Sequence, residues 1–210
     1  MEQFRKSRRN YGENNFAIFL QNSFGKDTAE KLIMLYHIGT SRRWPGATVF
    51  WQINQEANVR TGKIMLYNAV SGKRIKNPFD HIDWAHRYVG EKDYSLKQCL
   101  DGEHLLRQFP NKPVAMVESE KTATVCTGYQ PNYVWLATGS KGNLSRERCL
   151  VLRGRDVILF PDLNGYDDWR LKAKGMTDIA SITVSDILER IASNDQKKGG
   201  LDLADFLLKR

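Results

Sequence analysis

Two acidic clusters are the residues of this chain best suited to chemistry. Glu118-Ser119-Glu120 follows the apolar run 114–117, and Asp162-Leu163-Asn164 follows the apolar run 157–160. Carboxylates that meet from separate segments repel each other unless a cation lies between them, and hard oxygen ligands suit Mg²⁺, with Mn²⁺ as a substitute. The two clusters therefore predict a magnesium site formed by Glu118, Glu120, Asp162 and Asn164.

A glycine-containing loop lies between these clusters in the sequence. In Ala137-Thr138-Gly139-Ser140-Lys141-Gly142-Asn143, the two glycines allow close backbone approach, and Lys141 is placed to meet a phosphate. Mg²⁺ keeps most of its waters and takes one or two protein carboxylates, so substrate phosphate would complete the site. The structural alternative is that Glu118 and Glu120 are first-turn helix acids and that Asp162 and Asn164 form a polar turn.

The elements that position these residues alternate between strand and helix. After the break Pro110-Asn111-Lys112-Pro113, apolar runs at 114–117, 133–136, 157–160 and 179–182 are separated by helical segments, and a terminal helix is expected over 201–208. This rhythm predicts an α/β domain over 113–210, with a parallel four-stranded sheet and flanking helices. Ligands of such sheets bind at the carboxyl ends of the strands, where both acidic clusters fall.

The first third of the chain carries the whole net charge of +8: residues 1–76 hold 13 Lys and Arg against 5 Asp and Glu. The pattern predicts a flexible basic arm over 1–15, then a basic α+β subdomain over 16–112 with a helix from Asp27 and an antiparallel meander from residue 47. The excess charge indicates a phosphate-backbone binder, or a cationic face kept for solubility. The basic residues assigned to nucleic acid are Arg42, Arg43, Arg60, Lys63, Lys73, Arg74 and, further along the chain, Lys121.

Aromatic and histidine residues of the first part have two interpretations each. Stacking on bases is one role for Trp44, Trp51, Trp84 and Tyr67, and core packing of the meander is the alternative, favoured for Trp51. His81-x-Asp83-x-x-His86 has metal-like residue types but no third ligand in view. No G-x-S-x-G, H-E-x-x-H or P-loop motif is present, and Cys99, Cys126 and Cys149 form no C-x-x-C pair.

The second half resembles the Toprim domain of bacterial primases and primase-helicases. The resemblance rests on Val114-Ala115-Met116-Val117-Glu118-Ser119-Glu120-Lys121-Thr122-Ala123, on Ala137-Thr138-Gly139, and on the run from Asp156 to Asp162. The stretch from Ile38 to Lys63 is similar to the region that precedes Toprim in primase-related proteins of bacterial mobile elements. The resemblance implies a Toprim-like fold over roughly residues 30–208 and a magnesium site on Glu118, Asp162 and Asn164, with Glu118 and Asp162 catalytic.

Two departures from the Toprim pattern limit what the resemblance implies. Asn164 replaces the second aspartate of Asp-x-Asp and removes one negative charge, for which Asp167 or Asp168 would have to compensate. No cysteine precedes Cys99, so this sequence contains no upstream zinc ribbon. The leading hypothesis is a primase-like, magnesium-dependent protein of DNA replication, and the alternatives are a non-catalytic nucleic-acid-binding module and a magnesium-dependent nuclease.

The expected partners are single-stranded DNA and nucleotides, together with a replicative helicase or a zinc-binding module. No apolar run is long enough to span a bilayer, and the start of the chain lacks the apolar middle of a signal peptide, so the expected location is the cytoplasm, without a membrane partner.

Overall fold

The computed structural model describes residues 2–90 and 94–209 and divides the chain into two compact units, Met1–Cys99 and Leu100–Arg210. The first unit contains four helices and a four-stranded antiparallel sheet among its described residues. The helices are α1 (Glu2–Ser7), α2 (Asn15–Phe24), α3 (Lys26–Leu35) and α4 (Ala85–Tyr88). The strands are β1 (Gly39–Thr40), β2 (Thr48–Ile53), β3 (Val59–Met65) and β4 (Ile82–Trp84), in the order β1-β2-β3-β4.

Strand β2 is the centre of the first unit, and all six of its residues are buried. On one face Phe50 packs against Phe16 of α2, with ring centroids 5.3 Å apart. On the other face Trp51 meets Phe4 of α1 edge-on, with centroids 5.7 Å apart. The side chains of β2 therefore alternate between two faces, and apolar residues occupy both faces because helices cover both sides of this strand.

The N-terminal residues differ from the predicted flexible arm. Residues 2–7 form α1, and Trp51 Nε1 donates a hydrogen bond to Ser7 Oγ at 2.9 Å. Phe4 supplies an apolar contact with Trp51, which the basic composition of residues 1–15 does not indicate. Beyond β3, the predicted meander continues only as a single bridge that joins Tyr67 to Arg74, and the next strand is β4.

The second unit contains the predicted parallel sheet. Its strands are β5 (Val114–Val117), β6 (Val134–Ala137), β7 (Asp156–Leu159) and β8 (Ser181–Val184), in the order β6-β5-β7-β8 with every pair parallel. Its helices are α5 (Leu105–Gln108), α6 (Glu120–Tyr129), α7 (Arg146–Cys149), α8 (Tyr166–Lys174), α9 (Ile187–Ile191), α10 (Asn194–Gly199) and α11 (Leu203–Leu207). The strands β5 and β6 are buried throughout, whereas the edge strand β8 is only half covered.

Residues 100–112 belong to the second unit, although the sequence places the boundary at Pro110–Pro113. Asp101 exchanges backbone hydrogen bonds with Ala137 at the end of β6. The Arg155 guanidinium donates to the carbonyl oxygens of Leu106, Phe109 and Lys112. These long-range bonds attach the segment, which contains the short helix α5, to the sheet.

Among the described residues, no helix has the length and apolar character needed to cross a membrane.

Asn14 connects helix α2 to the sheet of the first unit and is completely buried. Its Oδ1 accepts hydrogen bonds from Phe16 N, Ala17 N and Thr48 Oγ1, and its Nδ2 donates to Gly39 O at 3.0 Å. The residue is therefore both the N-cap of α2 and a polar link between two strands.

We expect the Asn14→Ala variant to lose about 2 to 4 kcal/mol of the free energy of unfolding, because an N-cap is lost and buried donors are left unpaired. Urea unfolding followed by circular dichroism measures the change. Asn22→Ala is the matched control, since Asn22 is exposed and makes one long hydrogen bond to Ala69 O. Equal stability of the two variants would contradict the role given to Asn14.

Candidate acidic site at the strand ends

Glu118 and Asp162 meet at the carboxyl edge of the parallel sheet. Strands β5 and β7 are neighbours with Met116 opposite Leu159, so the chain leaves both strands at one edge. Asp162 N donates a hydrogen bond to Glu118 Oε1 at 3.3 Å. A Cβ at Gly165 would lie 2.8 Å from Asp162 O and 3.1 Å from Glu118 Oε1, so a side chain at this position would force the turn to shift. Two of the six predicted metal ligands are thus brought together.

The surroundings of Glu118 and Asp162 disfavour ionisation of both carboxyl groups at once. Burial first, and then the charge of Glu118, raise the pKa of Asp162 from 3.8 to about 8. Burial also raises the pKa of Glu118, although Lys141 and Lys172 act in the opposite direction. Asp162 Oδ1 is buried and accepts no hydrogen bond from any described residue. An unpaired buried carboxylate oxygen is the chemical environment that a cation would stabilise.

The ammonium group of Lys121, predicted to bind phosphate, is already paired with two carboxylates. Lys121 is buried, and its ammonium group pairs with Asp202 Oδ2 at 3.1 Å and with Asp205 Oδ1 at 3.6 Å. Burial lowers the pKa of Lys121, but the two aspartates outweigh burial and the net shift is upward. Thr122 Oγ1 also donates to Asp202 Oδ2, at 2.8 Å. Lys121 therefore holds the C-terminal helix α11 against α6.

Asp202 and Asp205 are acidic neighbours that the sequence analysis missed. Their charges raise the pKa of Asp162, so they lie within electrostatic reach of the pair. In α11 they form a capping box, in which each side chain accepts from the other's backbone N–H. The spacing Asp-x-x-Asp before an apolar run is a recognisable sign of a helix start, but it does not indicate which part of the fold the helix contacts.

Asn164 is engaged by the C-terminal segment rather than by the acidic pair. Its Nδ2 donates to Lys197 O at 2.7 Å, and its backbone N–H donates to Glu189 Oε1 at 2.7 Å. Its carbonyl accepts from Lys141 Nζ at 2.8 Å. The residue has a φ of 66°, a left-handed conformation that asparagine tolerates well. An asparagine at position 164 can donate this hydrogen bond to Lys197 O, whereas an aspartate carboxylate could not.

The three other predicted ligands lie nearby on two helices. Glu120 is the first residue of α6 and is buried. Asp167 and Asp168 lie in the first turn of α8, and Asp168 accepts from Lys172 Nζ at 2.9 Å. Within residues 2–90 and 94–209, no group of three or more His, Cys, Asp or Glu residues is spaced to hold a metal ion. The chain thus fits a Mg²⁺ ion held by Glu118 and Asp162 and completed by phosphate and water, not one held by protein ligands alone.

The glycine loop after β6 lies at the same edge. Gly139 has a φ of 83°, and its N–H donates to Glu118 O at 2.8 Å, which fixes the loop to the end of β5. A Cβ added at Gly142 would meet no atom within 4 Å, so the surroundings of this residue are open. Lys141 is exposed, and its charge acts on Glu118. The loop therefore places the Lys141 cation beside the acidic pair and leaves open space around Gly142.

The basic residues predicted to bind nucleic acid in the first unit fall into two groups. Lys63 is buried, Arg43 pairs with Asp83 at 2.8 Å, and Arg60 Nε donates to Lys97 O. The other group is exposed, and its side chains make no hydrogen bond or ion pair with the described parts of the chain; it consists of Arg42, Lys73 and Arg74.

The aromatic and histidine candidates are also separated by the fold. Trp51 and Tyr67 are buried in the core, and Trp44 and Trp84 are partly exposed. His81 Nδ1 is within hydrogen-bond distance of Ile75 O, and His86 Nδ1 of Thr61 Oγ1, so the two rings have separate partners.

The raised pKa of Asp162 predicts a pH-dependent stability. Between its ordinary value of 3.8 and its folded value of about 8, the folded protein keeps a proton that the unfolded chain has lost. The stabilisation is complete below the lower value and is lost as pH rises toward the upper one. In EDTA, we expect the free energy of unfolding to fall between about pH 5 and pH 8, and to fall less in Asp162→Asn. Urea unfolding at both pH values tests this, with the exposed Asp156→Asn as control; equal pH dependence in all three proteins would contradict it.

Comparison with solved structures shows the fold. The chain is similar to a DnaG primase catalytic domain bound to single-stranded DNA, with 14% identity, a TM-score of 0.51, and coverage of 100% of this chain and 83% of that one. It is similar to the RNA polymerase domain of Mycobacterium tuberculosis primase DnaG, with 10% identity, a TM-score of 0.51, and coverage of 92% and 76%. The primase fragment of the bacteriophage T7 primase-helicase has 18% identity, a TM-score of 0.47, and coverage of 84% and 67%.

The two similarities to DnaG domains confirm the predicted fold class, a Toprim-like four-stranded parallel sheet with helices, accompanied by an antiparallel sheet. No curated protein matches the chain. A family model described as "Domain of unknown function (DUF6371)" matches residues 14–163. Since that match spans more than half of the sequence, the protein belongs to this family and has the fold of primase catalytic domains.

Proposed function

We propose that this protein is a Toprim-type, primase-related enzyme that acts on nucleotides and single-stranded DNA with Mg²⁺, or Mn²⁺ in its place. The observation that carries the proposal is the convergence of Glu118 and Asp162, with a buried, unpaired Asp162 Oδ1. Two neighbouring carboxyl groups that resist ionisation together become fully ionised when a cation is bound between them. Such an ion would neutralise phosphate charge and position reacting oxygens.

The residues around the pair support a phosphate ligand. Lys141 and Lys172 already act on the pKa of Glu118, and both would approach a phosphate bound beside it. Gly142, in the loop after the neighbouring strand, has open surroundings that leave room for a ligand to approach the backbone. Glu118 and Asp162 would hold the ion, and Lys141 would orient the phosphate. Because Mg²⁺ takes few protein ligands in phosphate-transfer sites, two carboxylates are sufficient.

Nucleic-acid binding is assigned to the first unit. Arg42, Lys73 and Arg74 are exposed cations whose side chains bind no other described group. Cations of this kind release counterions when they contact phosphates, which favours binding at low salt. A structural neighbour is a primase domain bound to single-stranded DNA, and the same ligand is proposed here. We further propose that its protein partner is a replicative helicase or a separate zinc-binding module. The proposed origin is a mobile element, and the proposed location is the cytoplasm.

A non-catalytic nucleic-acid-binding module is the second candidate. It is favoured by Asn164, whose side chain is held by Lys197 O, and by the absence of a three-ligand cluster in the described residues. This candidate shares the fold and the basic first unit but predicts no divalent ion at Glu118 and Asp162.

Calorimetric titration with MnCl₂, with and without a single-stranded oligonucleotide, separates these candidates. We expect Mn²⁺ binding that is strengthened by the oligonucleotide. Glu118→Gln and Asp162→Asn should each weaken Mn²⁺ binding by about tenfold or more, because each removes one of two charged ligands. Asp156→Asn makes the same charge change at an exposed position of β7, the strand that precedes Asp162, and should bind Mn²⁺ as the unchanged protein does. Absence of Mn²⁺ binding in every condition would leave the non-catalytic module.

The reaction itself is tested with labelled single-stranded DNA, ribonucleotides and Mn²⁺. New products that require ribonucleotides indicate primer synthesis, and shortened DNA indicates the nuclease. Either activity should be lost in Glu118→Gln and Asp162→Asn and kept in Asp156→Asn. Loss in the control as well would show that the activity does not come from the proposed pair.

Asn164→Asp tests the departure from the Toprim pattern. A carboxylate cannot donate to Lys197 O, so we expect faster hydrogen exchange over residues 194–199, without tighter Mn²⁺ binding. Tighter Mn²⁺ binding with unchanged exchange would show instead that position 164 faces the ion.

A further inference from the structure

A cavity of about 440 Å³ lies within the first unit, between the N-terminal segment and the loop that joins β1 to β2. Its volume is in the range of small-molecule sites. We infer that this cavity binds one nucleotide unit, a planar base together with its phosphate. The inference goes beyond the proposed function, since the site uses residues of the first unit alone and needs no metal ion.

The aromatic wall of the cavity is fixed before any ligand arrives. Trp44 is half-buried and Tyr88 is exposed, and both line the cavity. The Arg43 guanidinium lies 5.2 Å from the Trp44 ring centroid and 5.7 Å from that of Tyr88. Arg43 is itself anchored by its ion pair with Asp83, and His81 meets the Trp44 ring edge-on at 5.1 Å. A base that stacks on Trp44 therefore orders few side chains on binding.

Two carboxamides supply hydrogen bonds of the kind that read base edges. Gln3 and Asn10 both line the cavity, and neither side chain makes a hydrogen bond within the described residues. An amide group offers a donor and an acceptor side by side, which matches the donor and acceptor pairs on bases. Asn10 has a φ of 57°, so the chain turns sharply where this amide is presented.

The charge at the rim suits a phosphate. Arg9 and Arg42 are exposed cavity residues without an ion pair in the described chain, whereas Lys6 pairs with Glu2. Glu13 also lines the cavity, and it opposes an anion but can accept hydrogen bonds from ribose hydroxyls. Two unpaired guanidinium groups outweigh one carboxylate, and guanidinium binds phosphate through paired hydrogen bonds. The cavity thus combines an aromatic stacking surface with amide and guanidinium groups. Together these groups favour a ligand that has both a base and a phosphate.

Calorimetry in EDTA with AMP, adenosine and ribose 5-phosphate tests the inference on the full chain. We expect saturable AMP binding, about tenfold weaker adenosine binding, and no detectable ribose 5-phosphate binding, because the base and the phosphate each contribute. EDTA removes divalent ions, so failure of the metal site leaves this result unchanged. Absence of AMP binding would overturn the inference without bearing on Glu118 and Asp162.

Variants locate the site. Trp44→Ala should weaken AMP binding by about tenfold or more, and Trp44→Phe should restore most of it, because a ring remains for stacking. The double variant Arg9→Ala and Arg42→Ala should bind AMP no better than adenosine. Its charge-matched control replaces Arg153 and Arg170, exposed residues of the second unit, with alanine and should bind normally. Circular dichroism confirms folding, and AMP binding that is unchanged in both cavity variants would refute the assignment.

A competition experiment identifies the source of the nucleotide. If a single-stranded hexanucleotide displaces AMP and Trp44→Ala weakens both ligands equally, the cavity accepts a base of a strand. If the hexanucleotide binds without displacing AMP, the cavity accepts free nucleotides. Loss of AMP binding in the control variant as well would overturn the inference.

Discussion

The parallel pairing of β5 with β7 is the constraint on which the second unit depends. Because Met116 lies opposite Leu159, the residues that follow both strands leave the sheet at one edge, and Glu118 and Asp162 come to lie side by side. Burial makes the ionisation of both carboxyl groups unfavourable. Either nearby groups supply positive charge, or at least one of the two carboxyl groups keeps its proton. Lys141 and Lys172 act on Glu118, and Lys121 acts on Asp162.

Part of that positive charge, the ammonium group of Lys121, also binds the C-terminal segment. Lys121 pairs with Asp202 and Asp205, and Leu163 N donates to Leu201 O in the turn that carries the acidic cluster. Asn164 adds a hydrogen bond to Lys197 O. The result is a second source of negative charge close to Asp162, which raises its pKa further. Docking of α11 and the electrostatics of the acidic pair are therefore coupled.

The sequence predicts the parallel sheet well because continuous apolar runs mark buried strands, and the positions of Glu118 and Asp162 follow from strand order. Helix α8 (Tyr166–Lys174) is one of the helical segments predicted between the apolar runs. The partners of Lys121 and Asn164 could not be predicted, since a local pattern does not reveal which distant segment will contact a side chain. The same holds for residues 100–112, which join the second unit through Arg155 and Asp101, and for α1, whose apolar contact is one phenylalanine in a basic stretch.

Gly165 shows how closely the acidic edge is packed. Its missing side chain leaves the space in which Glu118 Oε1 approaches the turn, and a single methyl group there would lie within 3.1 Å of that oxygen. The close packing of this acidic turn is thus permitted by a residue that carries no charge. Among relatives of this protein, a larger residue at this position would mark chains in which this turn takes another path, whatever acidic residues they retain.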